Sequence, residues 1–293
     1  MKIIVDSTCQ IEPQVIKDLD LGFIDYPLYL NGEEYITQWD SPTILEDKKK
    51  FIELIRDKNS KASTSGITER EFIRVFQHYK DEEVLFIVQS LNNTKATGHS
   101  LKKVLKEHPE FNVKVFDTQI LASGVGVQAL ALLRELREKD LSRDEAFDLL
   151  VKNRSNTWVV GLLYDLFYLH RSGRVDYLKA VLASAMRIFP ILSSVPESGM
   201  LKSTGKVRNF KQANSRFLSA IKEEMIKRES KKLTVNMAYS NEHNKECLHM
   251  EQALEKAAED FGWKIEVHIH FTNFSLIPHM GPDFYEMGYV IHT

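Results

Sequence analysis

Three short apolar runs, "KIIV" (2–5), "VLFIVQ" (84–89) and "VKVF" (113–116), are each followed by polar residues and then by a helical pattern. Short runs that are mainly apolar read as buried strands, and their alternation with helices is how a parallel α/β sheet is built. This alternation limits the fold more than any other feature. Between the first two runs, "FIDYPLYL" and "EEYI" flank Asn31-Gly32, a hairpin signal that predicts an antiparallel insert near 23–36. Ser41-Pro42 predicts a helix start, with Ser at the cap, Pro at the first helical position and an end near Lys58. Thr68 with Glu71, and Ser142 with Glu145, are capping-box pairs. Phe72, Val75, Phe76 and Tyr79 then fall at the spacing of one buried helical face.

Beyond Asn156, "WVVGLL" reads as a strand and 164–188 as mostly helical, interrupted at Ser172-Gly173. "PILSSV" and "MLKSTGKVR" form a hairpin around Pro196-Glu197-Ser198-Gly199. A helix over 210–228, the strand "LTVNMAYS", a helix over 243–261 and the strand "KIEVHIHFTN" follow, and the tail "HMGPDFYEMGYVIHT" is a loop leading to a last strand. The 293 residues suit two domains. The expectation is an N-terminal α/β domain, 1–156, with a mainly parallel sheet, and a C-terminal α/β domain, 157–293, with a mixed sheet.

A formal net charge of −2 gives no basic field for general nucleic-acid binding. Cys9 and Cys247 lie far apart without metal-type spacing, which suits free thiols in a reducing compartment. No apolar run has the length of a membrane span, and "MKIIVDSTC" is too short-cored for a signal peptide. A cytoplasmic protein with at most transient membrane contact is expected.

The candidate chemistry lies in loops. Asp6-Ser7-Thr8, "SLNNT" (90–94) and "DTQILASG" (117–124) each follow a predicted strand, at the edge where open α/β sheets hold ligands. The hydroxyl-rich Ser63-Thr64-Ser65-Gly66 precedes a helix start, and the four loops would converge on one crevice. The competing reading is that Asp6 and Ser7 only hydrogen-bond their turn. "SGVGVQAL" (123–130) lacks the third glycine of a dinucleotide fingerprint, so close helix packing is the expected use of Gly124 and Gly126. Neither a phosphate-binding P-loop nor a nucleophile elbow is present, and no cofactor is expected. His268 with His270, and His243 with Cys247 and His249, lack a carboxylate at a familiar spacing, so no metal is expected. The locally basic "KSTGKVRNFK" offers Arg208 as a fork for an anion or, with Lys206, Arg171 and Arg174, a surface for an acidic partner.

In order along almost the whole chain, these pieces resemble the DegV family of bacterial fatty-acid-binding proteins, which includes the binding subunit of fatty acid kinase. "VDSTCQI" is similar to the family's D-S-T-x-D-L, and "TSGITEREF" to T-S-Q-P-S-x-x-x-F with Thr64, Ser65, Thr68 and Phe72 in register. "LNNTKATG" is similar to L-S-G-T-Y-Q-S-A, and "VFDTQILASGVGVQAL" to V-x-D-S-x-x-x-S-x-G-x-G. "LHRSGRV", "RIFPIL", "GKVRNFKQA" and "HMGP" resemble L-K-K-G-G-R-I, K-P-I-L, K-x-R-x-x-K-x-A and H-x-G-P-G-A. The resemblance implies a long-chain fatty acid in a buried tunnel at the domain junction. Its carboxylate would be held by Thr64, Ser65, Asn92, Asn93 and Thr94, with His279 and Arg208 nearby. It also implies no catalysis by the chain itself: an ATP-dependent partner kinase related to dihydroxyacetone kinase would convert the presented acid to acyl-phosphate.

Asn92 and Asn93 stand where the family has serine and glycine, and an asparagine amide still donates a hydrogen bond. Ile67 replaces a proline, and Asp283 replaces the glycine after "HMGP", where a carboxylate facing the crevice would repel an acidic head. Two other readings remain: a lipid store or sensor coupled to no kinase, and an enzyme on a small anionic substrate using His279 as acid or base.

Overall fold

The computed structural model describes residues 1–172, 188–194 and 201–293. β1 (Lys2–Asp6) passes through a 3-10 turn (Ser7–Cys9) to α1 (Pro13–Asp18), β2 (Gly22–Ile24), β3 (Leu28–Leu30), β4 (Glu33–Glu34), α2 (Ile44–Arg56) and β5 (Ala62–Thr64). Next come α3 (Glu69–His78), β6 (Val84–Val88), α4 (Lys95–Glu107), β7 (Val113–Asp117), α5 (Ser123–Glu138) and α6 (Arg143–Arg154). The chain continues through β8 (Thr157–Leu163), α7 (Phe167–Arg171), β9 (Phe189–Ser194), β10 (Leu201–Val207) and α8 (Phe210–Lys227). It ends with β11 (Lys232–Tyr239), α9 (Asn244–Phe261), β12 (Lys264–Phe271), α10 (Ile277–Met280) and β13 (Phe284–His292).

The first sheet is parallel throughout, in the order β2-β1-β6-β7. β1 and β6 are buried at every position, which explains their unbroken apolar runs. Ile3, Val5, Leu85 and Ile87 pack against α5 and α6, whereas Ile4, Phe86 and Val88 pack under α3 and α4. The pleat thus sends alternate side chains into two cores. The expected hairpin turns at Asn31-Gly32, both at positive φ (55° and 90°). "FIDYPLYL" nevertheless divides: Gly22–Ile24 joins the parallel sheet beside β1, and Leu28–Leu30 enters a small antiparallel sheet, β4-β3-β5. Pro27, which has no N–H to give a ladder, lies between the two pieces. The helix expected from Ser41-Pro42 begins at Ile44, because Ser41 closes a separate turn. Its hydroxyl accepts from Thr43 N–H and its carbonyl from Ile44 N–H.

Both capping pairs form: Thr68 Oγ1 accepts from Glu71 N–H, and Ser142 and Glu145 cap each other reciprocally. The second sheet is mixed, in the order β10-β9-β8-β13-β11-β12, with only β11 and β12 parallel. On β13, Tyr285, Met287, Tyr289 and Ile291 enter the core beneath α8 and α9, leaving Phe284, Glu286, Gly288 and Val290 on the face towards α5. The expected turn at 196–199, Gly173 and the helix beyond α7 lie outside the described residues.

α5 packs on both sheets, and glycines allow it to do so. A Cβ on Gly126 would meet the Cys9 carbonyl oxygen at 1.9 Å, and one on Gly288 would meet the Ser123 carbonyl oxygen at 2.5 Å. The glycines of "SGVGVQAL" therefore serve helix packing. The Ser7–Cys9 turn is tied across as well: Asn236 Nδ2 donates to the Cys9 carbonyl (3.0 Å), and Ser275 Oγ and Asn273 Nδ2 donate to the Ser7 carbonyl (2.9 and 3.1 Å). Among the described residues no helix is long and apolar enough to cross a membrane.

Candidate functional site

Asp6, at the carboxyl end of β1, organises the loops above the parallel sheet. It accepts from the Thr8 N–H (2.8 Å) and hydroxyl, and from the Gln89 N–H beyond β6 (2.7 Å). Burial outweighs these three bonds and lifts its pKa to about 6. Ser7 Oγ accepts from Tyr26 N–H (3.1 Å). Asp6 and Ser7 thus hold the turn and tie it to neighbouring loops, while Thr8 lines the cavity below. Asp117 repeats the device after β7, accepting from Leu91 and Gln119 N–H groups (3.3 and 2.9 Å). Thr97 Oγ1 accepts from Ile67 N–H (3.1 Å), docking the hydroxyl loop on the start of α4. Gly66 makes this approach possible, since a Cβ there would stand 2.7 Å from the Ala96 Cβ.

The result is a cavity of about 430 Å³, within the usual range of ligand pockets. One part of its wall is polar, with Thr64, Ser65, Asn93, Thr94, Gln89 and His279 among its residues. Thr64 Oγ1 and His279 Nε2 are 2.9 Å apart, joining β5 to α10. The first turn of α4 also borders the cavity through Lys95 and Ala96; N–H groups there have no acceptor within the helix, and Thr94 makes no capping bond to them. Tyr26 places a buried hydroxyl beside Gln89, Thr94 and Thr97 with no hydrogen bond of normal geometry, and burial raises its pKa. Leu121, Ala122, Val159, Leu169, Leu276 and Met280 are the cavity's apolar lining residues, and Thr8, Ser275 and Glu286 line it as well. All four loops singled out in the sequence contribute.

Two of the seven expected carboxylate contacts lie elsewhere. Asn92 is exposed and absent from the wall. Arg208 is exposed just before α8, its N–H donating to Gln212 Oε1 (2.9 Å). Of the docking candidates, Lys206 is exposed and Arg174 lies outside the described residues. Arg171 is engaged, donating to the Ser60 carbonyl with its guanidinium over the Phe167 and Tyr168 rings.

Asp283 faces away from the cavity. Its oxygens take Arg56 Nη1 (2.9 Å) and Nη2 (3.2 Å), and Oδ1 also accepts from Asn241 Nδ2 (3.0 Å) and lies 3.4 Å from His243 Nε2. Burial alone would raise its pKa; these partners overcome it and hold the carboxyl well below the usual range. His243 also meets Glu246 Oε1 (3.0 Å), which Tyr164 OH donates to (3.0 Å). Of the paired histidines, His268 meets Glu266 Oε1 (3.1 Å), while His270 Nδ1 accepts from Glu12 N–H (3.4 Å). Sequence reasoning missed Tyr26 and Glu286. Glu286 carried a signal, an acidic residue among the apolar and aromatic residues of "FYEMGYVI".

Comparison with known proteins shows what the chain is similar to. A DegV domain-containing protein of Lactococcus lactis is 28% identical over 229 residues, 76% of this chain and 77% of the relative. One of Corynebacterium glutamicum is 24% identical over 290 residues, 96% of this chain and 90% of its own. Among solved structures, a fatty-acid-binding DegV family protein from Thermus thermophilus superposes with a TM-score of 0.82 at 22% identity, covering 99% of both chains. A stearic acid-binding protein from Eubacterium ventriosum gives 0.80 at 16% identity, covering 99% of this chain and 98% of its own. A family model described as "Uncharacterised protein, DegV family" matches residues 1–291, and the chain belongs to the DegV family.

Proposed function

We propose that this chain binds a long-chain fatty acid, its carboxylate at the Thr64–His279 end of the cavity and its acyl chain along Leu121, Leu169, Leu276 and Met280. The observation that carries this reading is the 2.9 Å contact of Thr64 Oγ1 with His279 Nε2 on the wall of a cavity that apolar residues also line. With Nε2 protonated, His279 donates to Thr64 Oγ1 and leaves the threonine proton for the ligand. Ser65, Asn93, Thr94 and the first N–H groups of α4 add donors, as removal of a carboxylate from water requires. A methylene transferred from water contributes about 0.8 kcal/mol, so a sixteen-carbon chain carries roughly 12 kcal/mol of gross burial free energy. A carrier that encloses the chain and leaves the head reachable removes the competition from membranes. On this reading the bound acid is presented to an ATP-dependent kinase subunit in the cytoplasm, and phosphoryl transfer is the partner's chemistry.

The test is native mass spectrometry of the purified protein, with organic extraction of whatever accompanies it. Near one-to-one occupancy by a fatty acid is the expected result. A protein that arrives empty and ignores added fatty acids ends the carrier reading. Acyl-phosphate formation with ATP and a kinase subunit tests the presentation step separately.

A further inference from the structure

Glu286 has no role in holding a carboxylate, yet it lines the same cavity. It is 2% exposed, and one oxygen accepts from Ser123 N–H at 3.0 Å. Apart from the neighbouring Ser123 hydroxyl, the carboxyl has no further partner, and no cation faces it, among the described residues. Its position is fixed from two sides. On β13 it stands opposite Gly161 of β8, so no side chain covers it there. At the head of α5, Ala122 adopts φ 53° and turns the Ser123 N–H towards it. The Ser123 hydroxyl is buried beside the carboxyl with no hydrogen bond of normal geometry. Ala122 and Val159 line the adjoining apolar wall, and Val159 pairs with Gly288, two residues beyond Glu286. A carboxyl with one oxygen left over therefore lines the cavity beside the apolar Ala122 and Val159.

Such groups are costly against methylenes, because a polar atom buried without a partner loses its hydration for nothing. Burial pushes the Glu286 pKa to about 8, against the pull of the Ser123 N–H and hydroxyl, so near neutral pH the group is a carboxylic acid with a proton to donate. A ligand hydroxyl satisfies it by accepting that proton. Sites that hydrogen-bond a ligand hydroxyl discriminate strongly against the analogue lacking it, since the buried partners are then left unpaired.

We propose that the cavity is built for an acyl chain bearing a hydroxyl group along its length, which Glu286 holds as a second polar anchor in addition to the one that takes the carboxylate. This inference rests on the fatty-acid reading above and narrows its ligand class.

The test is calorimetric titration of the delipidated full-length protein with octadecanoate and with hydroxyoctadecanoates that differ only in hydroxyl position. One position should bind about tenfold more tightly than octadecanoate, as one good buried hydrogen bond allows. Glu286→Leu should abolish that preference by tightening octadecanoate binding and losing the gain from the hydroxyl, and Glu286→Gln, a near isostere that still donates and accepts, should retain most of it. Equal binding of octadecanoate and every hydroxy isomer by the unaltered protein overturns the inference and leaves the carrier reading standing. So does a preference that survives in Glu286→Leu. Failure of the unaltered protein to bind any of these acids overturns both. Circular dichroism of the two variants confirms that each is folded.

Discussion

Two polar clusters join the first part of the chain to its last strand and differ in what their groups have left to give. In the Asp283 cluster both carboxylate oxygens are occupied, by Arg56, Asn241 and His243. On the cavity wall, the Tyr26 hydroxyl has no hydrogen bond of normal geometry, and the Glu286 carboxyl accepts from Ser123 N–H alone among backbone groups. Charge that is fully paired locks elements together. Neutral donors held in place without partners cost stability and are ready for a ligand. The difference also decides what the glycine-to-aspartate departure means: Asp283 braces α2 against β13 and does not repel a ligand head.

If that contrast is right, removing a group from the two clusters has opposite effects on stability. Glu286 is the larger case. Its raised pKa means that the folded state holds a proton that the unfolded state has lost between about pH 4.5 and 8. Stability from this group is therefore full below the lower value and falls by about 1.4 kcal/mol per pH unit across that window. Glu286→Gln should flatten this slope and stabilise the ligand-free protein by up to about 3 kcal/mol at pH 7. Urea unfolding across the range measures it, and a variant with the same slope as the parent breaks the comparison.

Asp283→Ala should act the other way, costing about 2–3 kcal/mol by leaving Arg56 and His243 without their anion. The Asp283 pKa is depressed, so this contribution is present above the ordinary aspartate value near 4 and disappears as the pH falls below it. His243 lies above its usual value because Asp283 and Glu246 outweigh its burial, so its share is present below pH 6.5 and fades as pH rises. Thermal melts of the variant at pH 5.5 and pH 3 should show the full deficit at the first and a deficit smaller by about 1 kcal/mol at the second, where the loss has only begun. Thr64→Val sharpens the contrast from the cavity side. It should weaken fatty-acid binding about 10- to 30-fold while leaving the melting temperature nearly unchanged, since the lost hydrogen bond to a charged head is worth about 1.5–2 kcal/mol.

Most of the parallel sheet and its helices could be read from the sequence, because doubly covered strands and capped amphipathic helices carry local signals. Three of the site's loops could be read for the same reason, each following a strand with an apolar run, and the fourth, Ser63–Gly66, from its hydroxyls before a helix start, although its strand β5 had no such run. What could not be read was direction. Asn92 and Asn93 are neighbours, yet only Asn93 turns into the cavity, a choice made by the backbone between Ser90 and Thr94. The split of "FIDYPLYL" between two sheets depends on partners, β1 and β5, that lie far away in sequence. Glu286 was visible as a charge in an apolar strand, but its facing depended on the register with β8.

Arg208 supplies the smallest expected effect and the most specific test of where binding ends and partner recognition begins. A cation was expected beside the ligand carboxylate, but Arg208 stands exposed before α8, near the exposed Lys206, and its guanidinium makes no ion pair among the described residues. Truncating an exposed, unpaired side chain changes stability by no more than about 0.5 kcal/mol. Arg208→Ala should leave fatty-acid affinity within a factor of two, because the head is held by neutral donors. If Arg208 and Lys206 dock an acidic partner, the same variant should lower the rate of acyl-phosphate formation at limiting kinase and steepen its loss with salt, as a weakened surface charge does. A large fall in fatty-acid affinity instead would place a cation at the ligand head, and the division between a neutral binding end and charged structural or docking clusters would be wrong.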